Sequence, residues 1–312
     1  MSMANAFDVA LVALLLAMAV WVVVARTAFS AIVVFVAYGL LVAIAWVRLF
    51  AVDVALTEAA IGSGLTGMLL LGAAARLRGT TATGLCGTPL LIVAAVFCAM
   101  ISLGLVAVIL TPPDVIVTLA PAAMANLPPS GLGNPVAGVL FVYRAFDTLL
   151  EKVVLLLALL GVWSLTPDRL WGGVPGPQVD ARPDGMLAFL AQILPPLGIV
   201  VAVYMTWTGA DHPGGAFQGG TVLAAMWILV IIAGLQKAPS IDQRLVRFLV
   251  VVGPAIFLGI GLAGFALADG FLSYPAGYAK PLIIVVEIAL TLSIGVTLGL
   301  VALGTPQRMR RQ

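Results

Sequence analysis

The sequence predicts an all-α polytopic membrane protein. Of its 312 residues, 62% are hydrophobic and only 9% charged, with a mean hydropathy of +1.19. Soluble domains carry about a quarter charged residues. Apolar runs of about 18 residues or more recur along the whole length, long enough to cross a bilayer. Between them stand clusters of Gly, Pro and charged residues that stop helices.

Nine spans follow, at roughly 7–25, 28–47, 53–75, 89–110, 138–164, 187–207, 217–235, 247–268 and 281–303. The opening MSMANAFDVA has no Lys or Arg and contains Asp8, so the first run reads as a retained span rather than a signal peptide. The second run follows after a short polar break. The third opens at VDVALTE and stops at RLRGTTATG, and the fourth stops at TPPD. A Pro-rich stretch ending in NP at 134–135 precedes the fifth, which TPDRLWGGVPGPQVDARPDG ends. GADHPGG, LQKAPS and SYPAGYAKP separate the last four. The breaks after the third and fifth spans divide the chain 3 + 2 + 4, into sections 1–84, 85–184 and 185–312.

The basic residues orient the chain. With the N-terminus outside and the C-terminus cytoplasmic, inner loops and tail hold Arg26, Arg76, Arg78, Arg169, Arg182, Lys237, Arg244, Arg247, Arg308, Arg310 and Arg311. The outer loops hold only Arg48 and Lys280, the asymmetry expected of cytoplasmic loops. The chain is thus expected in the cell (inner) membrane.

Several function classes fall away. The formal charge of +2 is small and scattered, which argues against nucleic acid. Two cysteines, Cys86 and Cys98, and one histidine, His212, cannot ligate an iron–sulfur cluster and make poor haem or structural zinc sites. There is no phosphate-cradling GxxxxGK[ST] loop and no G-x-S-x-G elbow. Neither an enzyme nor a cofactor is expected.

The charges that remain are oddly placed. All three glutamates, Glu58, Glu151 and Glu287, fall inside predicted spans, and so does Asp147. A carboxylate at the bilayer centre costs about 2.5–3.5 kcal/mol on insertion scales. Two readings stand for each: a structural carboxyl that fixes helix packing, or a step in a proton or ion relay. For Glu151 the spacing favours the relay. On a continuous helix Arg144, Asp147 and Glu151 fall within about 60° of one another, Lys152 lies about 80° from Arg144, and Arg144 to Glu151 spans about 10 Å. This is one polar stripe that has to face helices or water. Within it Arg144 and Asp147 suit a structural ion pair. Lys152 can lose its proton when buried, which an arginine cannot.

Two further stretches stand out. Beside Glu58, the residues Ala59, Ser63 and Gly67 make a small-residue stripe, thinned further by Gly62 and Gly64, that permits close helix contact. The hairpin TWTGADHPGGAFQGGTVLAAM joins two spans through His212, Pro213, Gly214, Gly215, Gln218, Gly219 and Gly220. Gly219 and Gly220 allow a close backbone approach, and the free N–H groups at the next helix start can hold an anion or a neighbour's carbonyl. A tight packing turn explains the same residues. His212 reads as solvated, since no second ligand is near.

These residues resemble a known family. DVALTEAAIGSGLTGMLLLGA (53–73) is similar to the small three-helix subunit of Mrp-type antiporters and membrane-bound hydrogenases. YRAFDTLLE (143–151) is similar to the F-R-G-F-D-T-x-x-E segment of the following two-helix piece. ADHPGGAFQGG (210–220) resembles the signature of the B subunit of the multisubunit Na+/H+ antiporter, MnhB/MrpB. Ala145, Leu150 and Ala216 depart from the pattern, and His212 sits closer to the proline than the family's histidine. The resemblance implies corresponding pieces fused in one chain, without the large antiporter-like domain, inside a multisubunit Na+/H+-translocating complex. Glu58, Asp147, Glu151, Lys152 and Glu287 would then lie on the ion path, and a large antiporter-like subunit would be among the partners. A membrane-arm subunit of a redox-driven complex, or a scaffold subunit with no ion path, are the alternatives.

Overall fold

The computed structural model describes residues 3–77, 87–111, 118–176 and 185–306. Arg78, Arg182, Arg308, Arg310 and Arg311 from the orientation argument, and Cys86, lie outside them. The described residues are helical, with no strand among them.

The chain opens with α1 (Met3–Val24) and α2 (Ala28–Arg48), packed as a hairpin. Thr27 starts α2 by accepting the Ser30 N–H on its hydroxyl. Arg48 at the end of α2 pairs with Asp8 on α1 at 2.8 Å, which ties the two ends. The third rod is α3 (Val52–Thr57), a π-helical stretch over Glu58–Leu65, and α4 (Thr66–Leu77). Its π segment lies on α2, with Ser63 buried. A methyl group on Gly39 of α2 would collide with Ser63 and press on Glu58, so the small-residue stripe works as a close helix contact.

α5 (Thr88–Leu110) is apolar all round and buries none of its residues in this chain. A short helix α6 (Ala120–Ala125) precedes the next rod. There the sequence predicts one helix over 138–164, and the structure differs. α7 (Pro135–Gly138) runs into a π turn over Val139–Tyr143, the helix breaks at Arg144, and α8 (Ala145–Ser164) begins anew. Arg144 has φ −129° and ψ 36°, outside helical space. Its N–H reaches back five residues to the Val139 carbonyl. The extra residue frees the Leu140 carbonyl, which takes the Thr148 hydroxyl at 2.6 Å. The break removes Arg144 from the helical register assumed for the stripe.

α9 (Met186–Thr208), α10 (Ala216–Ile232), α11 (Arg244–Leu267) and α12 (Ala279–Leu303) form the densest part. α12 packs on α10 and α11, and α8 lies against α11 and α12. The main core gathers Phe141, Leu149, Phe257, Ile283, Leu290 and Ile294. Gly220 on α10 lies against Ile294 and the Thr291 carbonyl, and Gly219 lies against Thr206 and the Ala202 carbonyl, so the paired glycines seat α10 between α9 and α12.

Seven helices are long and apolar enough to cross a membrane, and the chain is a multi-pass membrane protein. The other two rods of the expected nine are helical but fall short by that measure: α10 has 17 residues, and α8 carries Asp147, Glu151 and Lys152.

Candidate functional site

A cavity of about 310 Å³ lies between α3, the α7–α8 rod, the 209–215 hairpin and α12. All three resembling segments reach it. Asp53, Thr57 and Ile61 come from the first, Thr148 and Glu151 from the second with Lys152 just after it, and Gly214, Gly215 and Gln218 from the third. Glu287 on α12 closes it.

The hairpin is built to approach carboxylates. Gly214 (φ +149°) and Gly215 (φ +110°) adopt a backbone that disfavours side chains. The Gly214 N–H donates to Asp53 Oδ1 at 2.9 Å, and the Ala216 N–H, at the start of α10, donates to the Glu287 carboxylate. The anions that this helix start holds are thus the chain's own. A methyl group on Gly215 would stand 2.9 Å from Glu287 Oε1, and one on Gly209 would stand 3.1 Å from it. Glu287 is only 2% exposed, eight residues into α12, about 12 Å by helix rise. Its Oε2 is buried and has no hydrogen-bond partner among the described residues.

Asn134 pins the opposite wall. Its amide donates to the carbonyls of Gly209 and His212 at 3.1 Å each, its oxygen caps α7 through the Val136 N–H, and its side chain also bonds Asp53. Gln218 Nε2 donates to Thr57 Oγ1 at 3.2 Å, joining α10 to α3.

The polar stripe divides at α8. Successive residues turn 100° on a helix, and here that turn carries Lys152 inward to 5% exposure and leaves Glu151 outward at 53%. Lys152 Nζ sits 4.0 Å from the centroid of the Phe217 ring and 3.5 Å from Glu151 Oε2. Arg144 and Asp147 form an ion pair and are exposed, 72% and 52%. The stripe therefore splits between an outer face, with Arg144, Asp147 and Glu151, and an inner one, with Lys152.

The structure brings Glu151, Lys152, Glu287, Gly214, Gly215 and Gln218 to the cavity. It does not bring Glu58, Asp147, His212, Pro213, Gly219 or Gly220 there. Glu58 turns toward α2 into space left by Gly39 and Gly62. His212 and Pro213 are exposed on the hairpin. Beside them Asp211 takes the Lys280 ammonium at 2.7 Å, and that hydrogen bond holds its carboxyl below the usual carboxylate range. Sequence reasoning missed Asp53, Thr57, Asn134 and Thr148. Asp53 opens the DVALTE segment, but at a span end it reads as an ordinary boundary aspartate. Among the described residues no group of three His, Cys, Asp or Glu is placed to share a metal ion.

The fold and this site define a polytopic membrane protein whose polar cavity is assembled from chain segments far apart in sequence. Two stretches of the chain match models of membrane-subunit families. Residues 186–305 match the model of a domain related to the MnhB subunit of Na+/H+ antiporter, and residues 13–79 match that of the D subunit of MBH, together more than half of the chain. The fold is similar to that in the Mrp complex from Dietzia sp. DQ12-45-1b, with TM-score 0.74, 24% identity, and coverage of 97% of this chain and 35% of that one. It also resembles the membrane-bound sulfane sulfur reductase, an archaeal respiratory membrane complex, with TM-score 0.56, 21% identity, and coverage of 67% of this chain and 95% of that one. An uncharacterized protein of Methanocaldococcus jannaschii is 28% identical over 168 residues, or 46% of this chain and 64% of that protein. The chain thus spans less than two thirds of that relative and about a third of the Mrp chain.

Proposed function

We propose that this chain is a subunit of a multisubunit monovalent cation/proton antiporter of the Mrp type, in the cell (inner) membrane, and that its cavity is part of the Na+/H+ path. One observation carries the reading: three motif segments far apart in sequence meet α12 at one cavity, where Asp53, Glu151, Lys152 and Glu287 line the wall. A buried carboxylate oxygen with no partner among the described residues, on Glu287, suits a group that takes a proton or meets a passing cation. Glu151 stands at the exposed rim, and Lys152 lines the wall with only Glu151 as an anionic contact among the described residues. A cation entering past Glu151 therefore meets Lys152 as a repulsive gate and Glu287 and Asp53 as an attractive end. Glu58 and Asp147 lie off this path, in helix packing and in the Arg144 pair. The nine spans, the outside N-terminus, and sections 1–84, 85–184 and 185–312 are part of the same proposal.

Replacing Glu151 with Gln in the intact complex tests the path. Cation/proton exchange by membrane vesicles is expected to be lost while the subunit still assembles; exchange at the wild-type rate would refute the assignment. The second reading is a membrane-arm subunit of a redox-driven pump, favoured by the near-complete coverage of the sulfane sulfur reductase chain. Redox centres that co-purify with this chain would select it. A scaffold without an ion path would tolerate Ala at Glu58, Glu151 and Glu287 together.

A further inference from the structure

The outer face of α8 presents ionisable groups where a bilayer supplies no partner. Arg144, Asp147 and Glu151 are exposed there, flanked by exposed Phe146, Leu150 and Val154. The opposite face, with Thr148, Leu149, Lys152 and Leu159, is buried against the chain. Arg144 and Asp147 neutralise each other. Glu151, about 9 Å into α8 by helix rise, keeps one uncompensated oxygen edge, since Lys152 approaches only from the inner side. Hydrocarbon tails offer no hydrogen-bond donor, so this face is not a lipid surface. A second copy of the chain would meet it across a twofold axis with the same surface, setting Glu151 near Glu151 in low dielectric, where like charges repel.

We propose that the outer face of α8 is the docking surface for a membrane helix of a different polypeptide. That helix sets a basic or amide side chain against Glu151 and apolar side chains against Val154 and Leu157. Because Glu151 also lines the cavity, the same helix completes the cavity's open wall. The inference rests on the reading of this chain as part of a multisubunit complex.

The test places a photo-crosslinking amino acid at Leu150 and, separately, at Val154 in the intact complex in native membranes, and maps the adducts by mass spectrometry. The expected adduct lies on a membrane helix of another polypeptide, within one helical turn of a Lys, Arg, Asn or Gln. Adducts only to lipid, only to a second copy of this chain, only to helices without such a residue, or to nothing would overturn the proposal. Measuring exchange in the Glu151→Gln variant separates the two claims. Intact exchange with the adduct retained removes the ion path and supports the docking surface. Lost adducts in the unsubstituted complex remove the docking surface whatever the exchange rate.

Discussion

Glu287 shows what one buried carboxylate asks of its surroundings. One oxygen takes the Ala216 N–H, and the glycines at 209 and 215 leave it room. Glu287→Ala strands that buried N–H, a loss of about 1–3 kcal/mol. The variant is expected to unfold at a lower temperature in detergent than Glu287→Gln, which keeps an acceptor; equal midpoints would show that the bond contributes nothing. Asp211 gives a pH signature. Its folded-state carboxyl titrates lower than in the unfolded chain because Lys280 donates to it. That stabilisation is present above the unfolded carboxylate range, near pH 4, and disappears as pH falls through the lower folded value. The pair is partly exposed, so its weight is at most about 1 kcal/mol. Asp211→Asn should flatten the acid limb of stability against pH by that amount, and an unchanged limb would rule the pair out as its source.

At the scale of elements, helices are interrupted where the site needs them to be. Both π segments, over Glu58–Leu65 and Val139–Tyr143, flank the cavity, and the break at Arg144 frees the Leu140 carbonyl for Thr148. The hairpin follows the same logic with glycine. Gly215→Ala places a methyl group on the Glu287 carboxylate in a backbone region costing roughly 1–3 kcal/mol for a side chain. It should lower the thermal midpoint. Gly259→Ala, in open space on α11, should leave it unchanged or raise it, since alanine is the better helix former by up to about 1 kcal/mol. Similar behaviour of the two variants would refute the close-approach account.

For the whole molecule, the hydrogen bonds put Asp8, Arg48, Asp53, the 209–215 hairpin and Lys280 at one end. The proposed orientation makes that end external. In a variant with its native cysteines replaced, His212→Cys should react with a membrane-impermeant maleimide added to intact cells, and Lys237→Cys only after permeabilisation. The reverse pattern would invert the topology.

The sequence by itself determined the membrane, the helices and where they stop, because length, hydropathy and Gly/Pro breaks act locally along the chain. It also singled out Glu151, Lys152, Glu287 and the hairpin glycines as residues needing a cause, because intramembrane charge is costly wherever it occurs and clustered glycines mark a close backbone approach. Only the tertiary structure decided how they combine. Periodicity assumes an unbroken helix, so the break at Arg144, the inward turn of Lys152 beside an outward Glu151, and the retreat of Glu58 toward Gly39 were not legible. Asp53 and Asn134 looked like ordinary boundary residues until the chain folded the hairpin onto them. Which carboxylate meets which N–H across 161 residues, as between Asp53 and Gly214, depends on how helices pack, and packing is set by contacts that no local pattern records.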